Sequence, residues 1–199
     1  MKATITSTAH FVPDKVITNT DLEKLVDTSD EWIQTRVGIK QRHVVTENEA
    51  SSDMSTKVAN SLLEKRGIDA SKIDVIIIGT VTPDHPTPST AAIVQNNIDA
   101  INAWAFDLSA ACSGFLYALE AGAKFIESGS YKTIMVIGVD TMTSILDFED
   151  RETCIIFGDG AGGVILESSK TDSGILGSIL KTDGSGAESL NVLAGGSKY

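Results

Sequence analysis

Asp107-Leu-Ser-Ala-Ala-Cys-Ser-Gly-Phe-Leu-Tyr-Ala-Leu119 carries no charge between Asp107 and Glu120. From near Cys112 to about Gly129 the chain reads as a helix whose first half is apolar on every face. A helix of that kind is normally buried all round, which requires protein both above and below it. The predicted place is between two layers. Ala103–Leu108, just before it, reads as a strand, so Cys112 falls at a strand-to-helix junction.

Outward from this junction the apolar pattern alternates between two periods, which predicts an α/β fold. Asp74-Val-Ile-Ile-Ile-Gly-Thr-Val81 and Thr133-Ile-Met-Val-Ile-Gly-Val139 are short and β-branched, the pattern of strands covered on both faces. Ala3–Ser7, Gly163–Leu166 and Ile175–Leu180 are further predicted strands. Thr20-Asp-Leu-Glu23 reads as a capping box opening a short helix. Met54, Val58 and Leu62 recur every four residues, with Gly67 placed to end their helix. Ser89 is set to cap a helix through Ile98, after Pro86 and Pro88 have kept the chain extended. The closing Leu190-Asn-Val-Leu-Ala-Gly-Gly-Ser-Lys-Tyr199 has neither a terminating helix nor a charged tail, and reads as a chain cut in mid-loop.

Composition narrows the function. With 199 residues, 42% of them hydrophobic, the chain can build one sizeable core. Sixteen basic against 27 acidic side chains give a net charge of −11, which argues against a nucleic-acid surface. No apolar run approaches the roughly 20 residues that span a bilayer, and the opening residues alternate rather than form a secretory signal. Two cysteines make neither a disulfide framework nor a zinc site. The expectation is a cytoplasmic acidic protein without metal or bound cofactor.

Cys112 is the first chemical candidate. Free N–H groups and the macrodipole at a helix start favour negative charge, so a thiol there is set to react as thiolate. Ser109, Ala110, Ala111, Ser113 and Gly114 leave room for a substrate. Position alone leaves a nucleophile and a small core residue both open. Cys154, in Thr153-Cys-Ile-Ile-Phe157, reads as core. Phe157-Gly-Asp-Gly-Ala-Gly-Gly163 lacks the helix that a dinucleotide fingerprint needs after it, and reads as a tight turn. His10, His43 and His85 read as surface or loop residues, so no base for Cys112 is marked. Trp32 and Arg36 share a helical face, either as an ordinary amphipathic helix or, together with Arg151, as planes that stack on adenine and meet phosphate.

Taken together, Asp107–Phe115 around Cys112, the Thr28…Trp32…Arg36 segment and Asp150-Arg-Glu-Thr-Cys-Ile-Ile-Phe-Gly-Asp-Gly-Ala-Gly resemble β-ketoacyl-acyl-carrier-protein synthase III, which starts type II fatty-acid synthesis. The resemblance runs along the whole chain. Single pieces are shared with other thiolase-fold condensing enzymes that make alkylquinolone, polyketide or hydroxymethylglutaryl products, and a non-catalytic half-domain that binds CoA or a partner is a third reading. The resemblance implies a thiolase-like layered αβαβα fold. Residues 1–170 would form its amino-terminal half, with a mixed five-stranded sheet and a buried nucleophile helix. Residues 171–199 would begin the connection to a second half.

For chemistry, it implies that an acyl-CoA primer acylates Cys112. Trp32 and Arg151 would hold the adenine between them, with Thr28 and Arg36 nearby. Malonyl carrier protein would then be decarboxylated to attack the thioester. The family's His and Asn, and its carrier-protein patch, are expected beyond Tyr199, so these residues alone are expected not to complete condensation. Within them, Arg36, Lys40, Arg42 and Arg151 would provide a local positive rim. Thr87 stands where many members carry a bulky Phe reaching into the neighbouring subunit's acyl pocket, which implies tolerance of longer or branched primers. Met142 and Phe157 are pocket-lining candidates that read equally well as core. The family is a homodimer, with the Ala103–Phe106 strand and the Thr87 loop at its interface. A half of this fold would also leave an apolar face of its helix layer open.

Overall fold

The computed structural model describes residues 2–169, 171 and 173–198. The expected junction at Lys170 and the terminal Tyr199 lie outside them. The two isoleucine-rich runs form the centre of a mixed five-stranded sheet. β1 (Ala3–Phe11), β4 (Val75–Gly79), β5 (Trp104–Leu108), β6 (Thr133–Thr141) and β7 (Asp159–Ser168) lie in the order β1-β7-β6-β4-β5. β4 is parallel to both β5 and β6, whereas β7 is antiparallel to β6 and β1. Every residue of β4 is buried, as its unbroken apolar run predicts.

The pleat sorts that run between two cores. Ile76, Ile78, Met135 and Ile137 pack on the side of α3 (Ser51–Arg66) and α4 (Thr90–Asn97). Val75, Ile77, Ile134 and Val136 pack on the side of α5 (Gly114–Glu127). Each such side chain contributes about 1.5–3 kcal/mol on burial. A smaller module joins β2 (Lys15–Thr18), α1 (Asn19–Leu22), α2 (Asp30–Arg36) and β3 (Gln41–Val44), with β2 and β3 antiparallel. It packs on α6 (Arg151–Cys154) through Leu22, Ile33, Cys154 and Ile155.

Several sequence expectations need adjustment. α1 opens two residues earlier than expected. Its box is Thr18 with Asp21, in which each side chain meets the other's backbone N–H. Ile175–Leu180 forms no strand. The Ile175 N–H reaches Ala3 O at 2.8 Å, but Leu176 and Ile179 are more than four-fifths exposed and no ladder follows. The glycine-rich run read as a turn lies mostly within β7. Its glycines answer to packing: a Cβ on Gly163 would sit 2.9 Å from Val136 O and 3.1 Å from Val58 Cγ1. Arg42 is no part of a charged rim, being only 4% exposed.

α5 rests on the sheet by Gly114, Ala118, Gly122, Ala123 and Ile126. Leu116, on the other side, is half exposed. The helix is therefore covered by the sheet on one face and carries an open apolar face on the other. A row of glycines determines how closely it approaches. Gly79 and Gly138 pair across β4 and β6, and Gly138 pairs with Gly162 of β7. A Cβ on Gly79 would lie 2.7 Å from the Gly114 carbonyl carbon and 2.9 Å from Phe115 N. The start of α5 thus sits on bare backbone.

Asp107, the opening residue of the Cys112 motif, has a structural task. Its carboxylate accepts the Thr90 and Ala91 N–H groups at 2.7 and 2.8 Å, at the first turn of α4. Asp107→Ala leaves both donors without that partner. The expected cost is about 1–3 kcal/mol, read as a lower urea midpoint with unchanged m-value.

Candidate functional site

The chain leaves β5 at Leu108 and turns sharply before α5. Ala111 adopts φ +45°, the left-handed region that costs a residue with a Cβ about 1–2 kcal/mol. Ala111–Ser113 then form one 3-10 turn, and α5 begins at Gly114. This bend lifts Cys112 off the end of the sheet and leaves it exposed. Close seating of Gly114 on Gly79 fixes the bend from below.

Cys112 lines a cavity of about 950 Å³. Gly79, Gly138 and Phe115 belong to its wall on the sheet side, and Met142, Ile145 and Phe157 come from the connections around α6. Two of the three predicted pocket residues, Met142 and Phe157, therefore meet Cys112 in one mostly apolar space. The third, Thr87, is exposed and does not line it. None of the histidines lines it either. His10 is exposed on β1, and the His43 Nδ1 lies 2.6 Å from Pro13 O. His85 lines a separate hollow of about 530 Å³ beside β5.

The second cysteine is packed away. Cys154 is 1% exposed among Leu22, Ile33 and Ile155. Burial, reinforced by the nearby Asp150 carboxylate, pushes its thiol pKa up, so it stays protonated at neutral pH.

Trp32 and Arg151 are brought together. The Arg151 guanidinium lies over the Trp32 ring, 4.4 Å from its centroid. Trp32 follows the Ser29 cap of α2, whose hydroxyl accepts the Trp32 N–H at 3.1 Å. Arg36 is exposed one turn further along the same helix, and Thr28 precedes it with a buried hydroxyl oxygen that finds no hydrogen-bond partner among the described residues.

Three residues of this region have roles that the sequence did not reveal. Asp140 lines the cavity and accepts the Val81 N–H at 2.8 Å and the Thr80 and Thr82 hydroxyls at 3.1 Å, pinning the turn after β4. Asp159, 5% exposed, accepts the Val45 and Thr143 N–H groups at 2.8 and 2.9 Å, tying β3 to the segment after β6. Arg42 joins the small module to the end of α6. The one available signal was the pair of Ile-Gly steps, Ile78-Gly79 and Ile137-Gly138, in the two isoleucine-rich runs.

Comparison with known proteins agrees with this arrangement. The sequence model of the family 3-Oxoacyl-[acyl-carrier-protein (ACP)] synthase III matches residues 106–184. A beta-ketoacyl-[acyl-carrier-protein] synthase III of Chlorobaculum tepidum is 57% identical over a 202-residue alignment that covers 100% of this chain and 61% of the relative. The chain thus spans about three-fifths of the length of the curated relatives it matches. The crystal structure of the Aquifex aeolicus 3-oxoacyl-[acyl-carrier-protein] synthase III superposes with a TM-score of 0.83 at 46% identity, covering 85% of this chain and 55% of that one. The corresponding Thermus thermophilus synthase III gives 0.89 at 38%, covering 93% and 57%. The fold is the thiolase-like one with its mixed five-stranded sheet, and along its whole length the chain is similar to the amino-terminal part of β-ketoacyl-(3-oxoacyl-)acyl-carrier-protein synthases III.

Proposed function

We propose that this chain carries the nucleophile and the CoA entrance of an acyltransferase that condenses an acyl-CoA primer with malonyl-acyl-carrier protein, the first step of type II fatty-acid synthesis. The observation that carries the reading is Cys112, exposed in an apolar cavity at the strained turn into α5. Cys112 Sγ bonds to the thioester carbonyl carbon. The carbon–sulfur bond to CoA breaks, and CoA leaves as the thiol with the proton given up by Cys112. Malonyl carrier protein then loses CO₂, its carbanion forms a carbon–carbon bond to the acyl carbonyl, and Cys112 is released.

Several features support the details. The cavity around Cys112, Met142 and Phe157 suits an acyl chain, and a small Thr87 suits longer or branched primers. The Trp32–Arg151 contact is worth only about 0.5–1 kcal/mol at an exposed site, so an adenine ring entering between the two planes replaces it at little cost. Thr28 and Arg36 border that entrance. Residues 171–199 lead towards a second half that supplies the His and Asn of condensation. A homodimer is supported by β5, an outer strand with a half-exposed Trp104 stacked on Phe106. No described helix is long and apolar enough to cross a membrane, and the working compartment we assign is the cytoplasm.

The test is incubation with an acyl-CoA, followed by peptide mass mapping. The expected result is one acyl group on the peptide containing Cys112 and none on that containing Cys154. An unmodified Cys112 under conditions where the intact protein is folded would refute the assignment.

A further inference from the structure

Trp32 and Arg151 lie on different elements, more than a hundred residues apart in sequence, yet the guanidinium carbon sits 4.4 Å from the ring centroid. Something must fix α2 against α6. Arg42 occupies the space between them. Its Nε donates to Ile155 O at 3.0 Å and its Nη2 reaches the same oxygen. Ile155 is the residue that ends α6, whose first residue is Arg151. The other arm of the guanidinium, Nη1, donates to Asn19 Oδ1. Asn19 passes the connection on, its Nδ2 donating to Asp30 Oδ1 at 2.7 Å and to Ile39 O at 2.9 Å. Asp30 is the first residue of α2, two before Trp32.

The line Asp30–Asn19–Arg42–Ile155 therefore runs from the start of the helix bearing Trp32 to the end of the helix bearing Arg151. It is also tightly enclosed. Asn19 is 1% and Arg42 4% exposed, and a Cβ on Gly158 would sit 3.1 Å from Arg42 Cβ. The planar fork places two donors on the carbonyl and a third on the amide in one fixed geometry. Lysine has the charge without that geometry.

We infer that Arg42 is a positioning residue for the nucleotide end of the CoA thioester: it sets the spacing of the Trp32–Arg151 pair while leaving Cys112 untouched. This rests on the proposed role of that pair. Acyl-CoA is therefore to be compared with the same acyl group on pantetheine, which reaches Cys112 without an adenine. In the intact protein, Arg42→Met is expected to raise KM for acyl-CoA about tenfold. Its Cys112 acylation by acyl-pantetheine is expected to stay within about twofold of wild type.

Arg42→Lys should recover only part of the loss. Asn19→Ser, which cuts the same line at a smaller side chain, should show the same selective effect if Arg42→Met fails to fold. Equal losses with both thioesters in the folded variants, or no change with either, would overturn the inference while leaving the wild-type preference for acyl-CoA intact. A wild-type protein that labels equally well with both thioesters would instead overturn the adenine clamp, and the role of Arg42 with it.

Discussion

Cys112→Ala is expected to abolish acyl uptake from acyl-CoA, a fall of at least about 10⁴-fold in labelling rate. The other cysteine cannot stand in for this sulfur, because it is enclosed in a separate core. That enclosed cysteine supplies an internal control. A maleimide added to the native protein should modify Cys112 alone, and Cys112→Ala should take up no reagent until it is unfolded and Cys154 is released. A folded Cys112→Ala protein that still forms an acyl-enzyme would place the chemistry elsewhere.

The second large effect is expected from Gly79→Val. The atoms that a side chain would meet there are the backbone carbon of Gly114 at 2.7 Å and the backbone nitrogen of Phe115 at 2.9 Å. Backbone cannot rotate aside as a side-chain terminus can, so α5 must lift from β4. The expected cost is about 3 kcal/mol, at the upper end for an overpacked core. The start of α5 follows Cys112 by two residues, so acylation should fall as well. Gly162 lies in the same cross-strand row, but a Cβ there meets only Ala9 O at 3.9 Å. Gly162→Ala should therefore leave both the thermal midpoint and labelling near wild type. If the two variants behave alike, the approach of α5 is not what these glycines protect.

Much of the fold was legible because it follows from unambiguous local signals. Runs such as Val75–Ile78 have no polar residue to turn outward, so they must lie within a two-sided sheet, and they do. Gly67, at φ +69°, stops α3 where the pattern ends. The readings that needed adjustment depended on partners distant in sequence. Ile175–Leu180 has the apolar content of a strand, but content alone does not provide a neighbour with which to pair. The glycines of β7 resembled a turn because sequence records flexibility and close packing by the same letter. Arg42 stands between Gln41 and His43 and was grouped with nearby surface charges; only the return of Ile155, 113 residues later, gives its guanidinium a buried acceptor. For the site, the strand-to-helix position of Cys112 was legible from the residues alone. The pairing of Trp32 with Arg151 came through family resemblance, and the role of Asp140 was not visible by either route.

The left-handed alanine ahead of the sulfur restricts what position 111 can be. Glycine would enter that conformation freely, alanine tolerates it at moderate cost, and any branched residue would be driven out of it by its own methyl groups. Saturation mutagenesis at this codon should thus return chiefly glycine, alanine, asparagine and aspartate, and no β-branched residue, among variants that retain acylation. A place on the wall of the Cys112 cavity would then be restricted by the backbone angle it must hold rather than by any chemistry of its side chain.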